Sequence, residues 1–183
     1  QRLCMMNNAA LQTFIDNKCF IFHSPYGKKG VALTTAQRLK NQIINASQSR
    51  DYQNVNLYTG IENVGDADLD VTETNELADD FLIPAGIEFG LESTPRAHRL
   101  YRILDLNKKH TRTSFTFRDS DKDNTLIELR AHDHYTVCGG IYDNKEEVVY
   151  AKLGKLTEIN YDQFHKSIAM LALAAVLLRK VRL

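Results

Sequence analysis

Apolar and polar positions along the chain alternate between a helical period and a period of two, and the changes of period divide it into short elements. Residues 6–15 have helical spacing, 18–23 read as a strand, and 24–30 form a turn with two adjacent lysines, Lys28 and Lys29. A helix is expected over 35–48, capped by Thr34 or Thr35, with Leu39 and Ile43 four apart on one side. Residues 54–58 alternate like a strand and stop at Thr59-Gly60; after a turn at 61–63, residues 64–70 are expected to be the partner strand. A helix is expected over 73–82 with Leu77 and Phe81 inward, then strands at 86–89, 99–106, 114–117, 125–131, 135–138 and 147–152. From Asp162 onward Phe164, Ile168, Leu171 and Ala175 share one helical stripe. The order is strand-rich in the middle and helical at both ends, which predicts an α/β or α+β domain followed by a helical tail.

At 183 residues with 43% hydrophobic and 25% charged positions, the chain can bury a core without disulfide staples. The apolar run 168–178 is shorter than the roughly 20 residues a bilayer crossing needs, so no membrane partner is expected. Cys4, Cys19 and Cys138 form an odd set without a CxxC pair, which predicts free thiols and a cytoplasmic location. No GxxxxGK[ST] loop occurs, which excludes a P-loop ATPase motor in this segment. Because the chain begins with Gln1, it is expected to be a piece of something longer.

The charges balance overall, 23 bases against 23 acids, but they are segregated. Residues 51–95 hold eleven acids and no Lys or Arg, leaving 23 bases against twelve acids elsewhere. A basic body with one acidic insert suits a protein that binds a polyanion and also holds divalent cations; a solvated acidic helix face is the alternative.

Three clusters carry candidate chemistry. In Asp66-Ala-Asp68-Leu-Asp70, strand alternation places Asp68 and Asp70 on one face with Leu69 buried behind. Paired carboxylates repel unless a cation lies between them, and oxygen donors suit Mg²⁺ or Mn²⁺. Asp70 or Thr72 could instead simply cap the following helix. In Leu126-Ile127-Glu128-Leu129-Arg130, Ile127 and Leu129 face the core, leaving Glu128 and Arg130 as a metal ligand with a phosphate contact, or as a cross-strand ion pair. Arg96, His98, Arg99 and Arg102 lead into a strand and could grip a triphosphate. Asp119-Ser-Asp121-Lys-Asp123-Asn opens like a calcium loop, but Asn124 replaces the required Gly and Arg130 the bidentate Glu, so it reads as a hairpin turn. His132 and His134 lack a third ligand at zinc spacing and read as turn residues near a site.

The order of these pieces resembles the primase-polymerase domain of the archaeo-eukaryotic primase superfamily. It is most similar to the bifunctional primase/polymerase N-terminal domains of phage, plasmid and mobile-element replication proteins. The resemblance runs from about Ser24 to Leu178 through "SPYGKKG", "NVNLYTG", "DADLDVTETNELADDFL", "FGLESTPRAHRLYRI" and "IELRAHDHYTVCGG". It implies an α+β fold in which a small α/β unit packs on an RRM-like sheet unit, with the active site in the cleft between them. It implies a catalytic domain over 1–160 and a C-terminal helix over 161–183 that covers the sheet or leads into a downstream region.

By the same resemblance Asp68, Asp70 and Glu128 hold Mg²⁺ or Mn²⁺, and His98 binds the nucleotide. Arg96, Lys29 and Arg130 are further nucleotide or template contacts. The chain departs from the family in carrying Arg96 where a small residue is usual, and Cys138-Gly-Gly-Ile-Tyr142 where a Pro-containing turn and a histidine are usual. The implied activity is template-directed nucleotidyl transfer on single-stranded DNA from NTPs or dNTPs, with a helicase domain or protein as a further partner. The alternatives are a metal-dependent nuclease, which Asp70 with Glu128-Leu-Arg130 imitates except that Arg cannot serve as a base, and a catalytically silent single-strand or nucleotide-binding module.

Overall fold

A computed structural model of the chain describes residues 6–25, 34–48, 53–106, 114–120, 124–141 and 146–182. The elements in order are α1 (Asn8–Asp16), β1 (Phe20–Pro25), α2 (Thr35–Lys40), β2 (Gln53–Tyr58), β3 (Val64–Leu69), α3 (Thr72–Phe81), β4 (Ile87–Leu91), β5 (Thr94–Ile103), β6 (Phe115–Asp119), β7 (Asn124–Arg130), β8 (Tyr135–Gly139), β9 (Val148–Lys152), β10 (Thr157–Ile159) and α4 (Tyr161–Val181). The fold is α+β. A three-stranded sheet runs β1-β2-β8, and a larger sheet runs β6-β7-β3-β5-β4-β9 with β10 parallel to the far end of β5.

Alternation sorts the large sheet's side chains into two faces. Ala67 and Leu69 of β3, Tyr101 and Ile103 of β5, and Ile127 and Leu129 of β7 pack under α3 and α4. The stripe expected on α4 is the one that is buried: Phe164, Ile168, Leu171 and Ala175 are each at most 1% exposed. Burying a side chain of the size of Phe, Ile or Leu contributes about 1.5–3 kcal/mol, so this helix holds one face of the sheet firmly. On α3, Thr74 and Ala78 are fully buried, while Leu77 and Phe81 pack half-buried at the core's edge. The sheet's other face gives Val64, Ile87, Phe89 and Leu100 to a second core, shared with α1 and with Val55, Leu57 and Val137 of the small sheet.

Helix starts obey local chemistry: the Asn7 side chain caps α1 by accepting from the Ala10 amide at 2.7 Å, and Thr34 with Gln37 forms a capping box on α2. Helix α2 stops at Lys40, well short of the expected 48, because the next residues pair with β1. His23 donates its amide to the Asn41 carbonyl and Ile43 to that of Ile21, which buries Ile43 in the core.

β2 and β3 are not partners, contrary to the expectation from their adjacency. β2 pairs with β1 and β8, whereas β3 pairs with β5 and β7. The connection turns through three left-handed residues close together, Gly60 (φ 94°), Glu62 (φ 52°) and Asn63 (φ 57°), which carry the chain out of one sheet and into the other. Among the described residues no helix is long and apolar enough to cross a membrane.

Candidate functional site

The even-numbered residues of β3 face away from α3 and α4, toward the small sheet. Asp68 lies directly across from His98 on β5 and from Glu128 on β7, and Asp66 lies across from Arg130. Asp70, one residue past the strand, stays in line because its amide still donates to the Leu126 carbonyl at 3.1 Å. Helix α3 then begins with Val71 as its cap residue and no side-chain cap bond, so Asp70 is not spent on capping. The carboxylate oxygens of Asp68 (buried), Asp70 (exposed) and Glu128 (intermediate) lie within 4.8 Å of one another and could hold a metal ion.

Asp68 and Asp70 edge a cavity of about 480 Å³ between the sheets. One wall carries Asp68, Asp70, His98 and Arg130; the other, from the small sheet and the turn before β8, carries Asn56, His134, Tyr135 and Thr136. Leu91, Val137 and Val148 give the cavity an apolar portion beside its charged one.

Charge in the cavity wall is tightly organised. Arg130 places Nη2 2.5 Å from both Asp68 Oδ2 and Glu128 Oε2, with its Nε donating to Glu128 Oε2 at 2.7 Å. Thr116 of β6 donates to the other Glu128 oxygen at 3.2 Å. Burial pushes the Asp68 carboxyl above the ordinary carboxylate range, against the pull of His98 and Arg130. Partial burial, helped by the like charges of Asp68 and Glu128, raises Asp70 to about 7. For His98 the balance also ends upward: burial disfavours its charged ring, but Asp68 and Asp66 outweigh that and hold it up at about 9. Its Nδ1 lies 2.9 Å from Asp66 Oδ2 and 3.4 Å from Asp68 Oδ1, and its ring stacks on Phe89 at 4.8 Å between centroids.

Asp68, Asp70, Glu128, His98 and Arg130 are thus brought together. Arg96 is not. Its guanidinium turns onto Asp79 of α3, donating at 2.7 Å to each oxygen, while its Nε donates at 2.5 Å to Glu88. The buried Arg99 donates to the same Asp79 at 2.6 Å, and the two arginines pull that carboxyl down to about 2. Arg96 lines a separate surface pocket with Asp79 and Glu88, apart from the cavity that His98 lines. Lys29 and most of its turn lie outside the described residues. The calcium-like stretch falls at the β6–β7 hairpin, and its Asp119 pairs with Arg179 of α4 at 3.1 Å.

Those pairs change the meaning of the segregated charges. Besides Asp79 and Glu88, Glu73 pairs with Arg179 and Glu76 with Arg182. The acidic stretch is therefore neutralised in large part by bases from β5, β7 and α4, and less of the basic excess is left over for a polyanion. Reasoning from sequence missed Asp66, Phe89 and Thr136. Asp66 was visible in the two-residue period that picked out Asp68 and Asp70; Phe89 depends on the register of the β4–β5 hairpin, and Thr136 on β8 joining the small sheet. No protein-family model matches the chain, and no curated protein is similar to it.

Proposed function

We propose that the chain is a metal-dependent nucleotidyltransferase of the primase-polymerase kind, extending or initiating a strand on a single-stranded DNA template from NTPs or dNTPs. The observation that carries this reading is the convergence of Asp68, Asp70 and Glu128 beside a cleft that Asp68 and Asp70 line, with His98 directly across from Asp68. Three carboxylates offer only hard oxygen donors, which fits Mg²⁺ or Mn²⁺ and disfavours zinc. When bound, such ions supply charge neutralisation at the phosphates and activation of a hydroxyl nucleophile. Asp68, Asp70 and Glu128 are the residues that would hold them.

The chain's own part is placement. His98 brings a cationic ring to the cavity wall beside the acids, where an anionic phosphate would be oriented. The apolar portion of the cavity gives a base somewhere to rest. The strand order β7-β3-β5-β4, with α3 joining β3 to β4, supports this reading by setting the acid-bearing β3 and β7 beside the His98-bearing β5. A nuclease with an Asp and Glu-x-Lys would need a neutral amine where Arg130 stands, and Arg130 is held between two carboxylates.

The test is synthesis on a single-stranded DNA template, with and without primer, supplying labelled NTPs or dNTPs and Mg²⁺ or Mn²⁺. Asp68→Asn and Asp70→Asn should each lower product by about 10³-fold, equivalent to the several kcal/mol that bound metal supplies to the transition state. Template binding should persist in both. Shortened template in place of product would support the nuclease, and binding indifferent to metal and to Asp68, with no product, would support a silent binding module.

A further inference from the structure

Asp66 is the most deeply buried carboxylate of the site, at 0% exposure, and it touches neither the cavity nor the cluster of Asp68, Asp70 and Glu128. One of its oxygens, Oδ2, accepts from His98 Nδ1 at 2.9 Å; the other, Oδ1, is buried without a hydrogen-bond partner. A buried carboxylate with an orphan oxygen is expensive, and an apolar residue on this strand would pack at lower cost. What the fold gains is a fixed imidazole. Asp66 holds Nδ1 from below, Phe89 covers one ring face at 4.8 Å and an interplanar angle of 21°, and Thr136 Oγ1 stands 3.3 Å from Nε2. With Nδ1 tied down, Nε2 is directed across the cleft toward β8.

We propose that Asp66 is a positioning residue that locks the His98 ring with Nε2 presented to the cleft, where Nε2 and the Thr136 hydroxyl together meet one phosphate group. This rests on the nucleotidyl-transfer reading for the identity of the ligand, and on the hydrogen bonds and stacking alone for the lock. Among the described residues the side-chain hydrogen bond of Asp66 goes to His98, and its other oxygen is sealed in the core. The same buried-carboxylate, imidazole, cleft order is how an enzyme fixes which ring nitrogen faces its substrate. If the lock is the main role of Asp66, a substitution there should be felt at the ligand chiefly through His98.

The experiment is a double-mutant cycle on the whole chain with inorganic tripolyphosphate as the probe, its affinity measured by calorimetry for wild type, Asp66→Asn, His98→Ala and the pair. Each single variant should lose about tenfold or more in affinity, the scale of one hydrogen bond to a charged group, and the pair should be no weaker than His98→Ala. Losses that multiply in the pair would overturn the lock, as would an Asp66→Asn protein that melts earlier but binds tripolyphosphate like wild type. If Asp66→Asn does not fold, ¹⁵N-histidine spectra of the wild type decide: a protonated, exchange-protected Nδ1 on His98 is expected, and an unprotonated Nδ1 or a freely rotating ring overturns the lock. Failure of the cycle in a protein that still makes metal-dependent product removes Asp66's role and leaves nucleotidyl transfer standing. A protected Nδ1 in a wild type that neither binds tripolyphosphate nor makes product overturns the phosphate partner and that function together.

Discussion

Replacing Arg130 by Met keeps an unbranched apolar stem and removes the guanidinium with its charge. In the folded chain the guanidinium is the only cation in contact with both Asp68 and Glu128 among the described residues, at 2.5 Å from each. The Arg130 and Asp68 side chains are 19% and 10% exposed, so their pairing is closer to a buried ion pair than to a surface one. Breaking a buried pair by removing one partner costs about 3–5 kcal/mol, and the partial exposure of Glu128 argues for the lower end, about 3 kcal/mol. For a chain of this size that lowers Tm by about 6–12 °C. Added Mn²⁺ distinguishes this loss from an ordinary packing defect. In the variant Glu128 loses its paired cation and Asp68 keeps His98 at 3.4 Å, so Mn²⁺ should restore much of the lost Tm and bind more tightly than to the wild type, where it must displace Arg130. The assay is thermal unfolding by circular dichroism across a Mn²⁺ titration, with Arg130→Met/Asp68→Asn as the relief control. A variant that melts within about a degree of wild type, with equal Mn²⁺ shifts in both, would refute the account of Arg130 as the acids' counter-charge; the scale is that of surface pairs.

Three further outcomes are expected. Since Asp70 titrates near 7, protons compete with metal below that pH, and apparent Mn²⁺ affinity should rise about tenfold from pH 6 to pH 8 and flatten above, a dependence that Asp70→Asn should remove in calorimetric titrations. Phe164→Ala should cost about 3–5 kcal/mol in chemical denaturation, because Phe164 is 1% exposed beneath the sheet and its ring packs tilted against Tyr101, 4.8 Å between centroids. Cys19, whose thiol burial pushes up to about 12, and Cys138, raised likewise, should resist iodoacetamide at pH 8 in the folded chain and react on unfolding, as peptide mapping would show.

Most elements were legible because burial leaves a period: β3, β7 and α4 fall where alternation and the 164–168–171–175 stripe put them. Misreadings arose where distant pairing overrode local pattern. Helical spacing continued through Gln42 and Ile43, but β1 offered their backbone a strand partner. Thr157–Ile159 is too short to show a period, and it is a strand only because β5 extends past β4 to meet it. The same limit shaped the site. Asp68, Asp70 and Glu128 were found as residue types on alternating strands, whereas the separation of Arg96 from His98, two residues away, comes from the carboxylates of Asp79 and Glu88 that meet its guanidinium away from the cleft. No spacing rule encodes that choice.

β8 has a consequence for how the chain can come to be folded. The sheet that begins with β1 and β2 receives its third strand only from residues 135–139, after β3 through β7 have gone elsewhere. While the polypeptide is being made, β2 must wait about 80 residues with one edge unpaired, open to association with other strands. Pairing over that separation is also slow, because the intervening loop must be closed before the contacts are gained. The two walls of the cleft therefore form together or not at all: cutting the chain after β2 should yield no autonomous small domain, and a truncation before Tyr135 should be prone to aggregate.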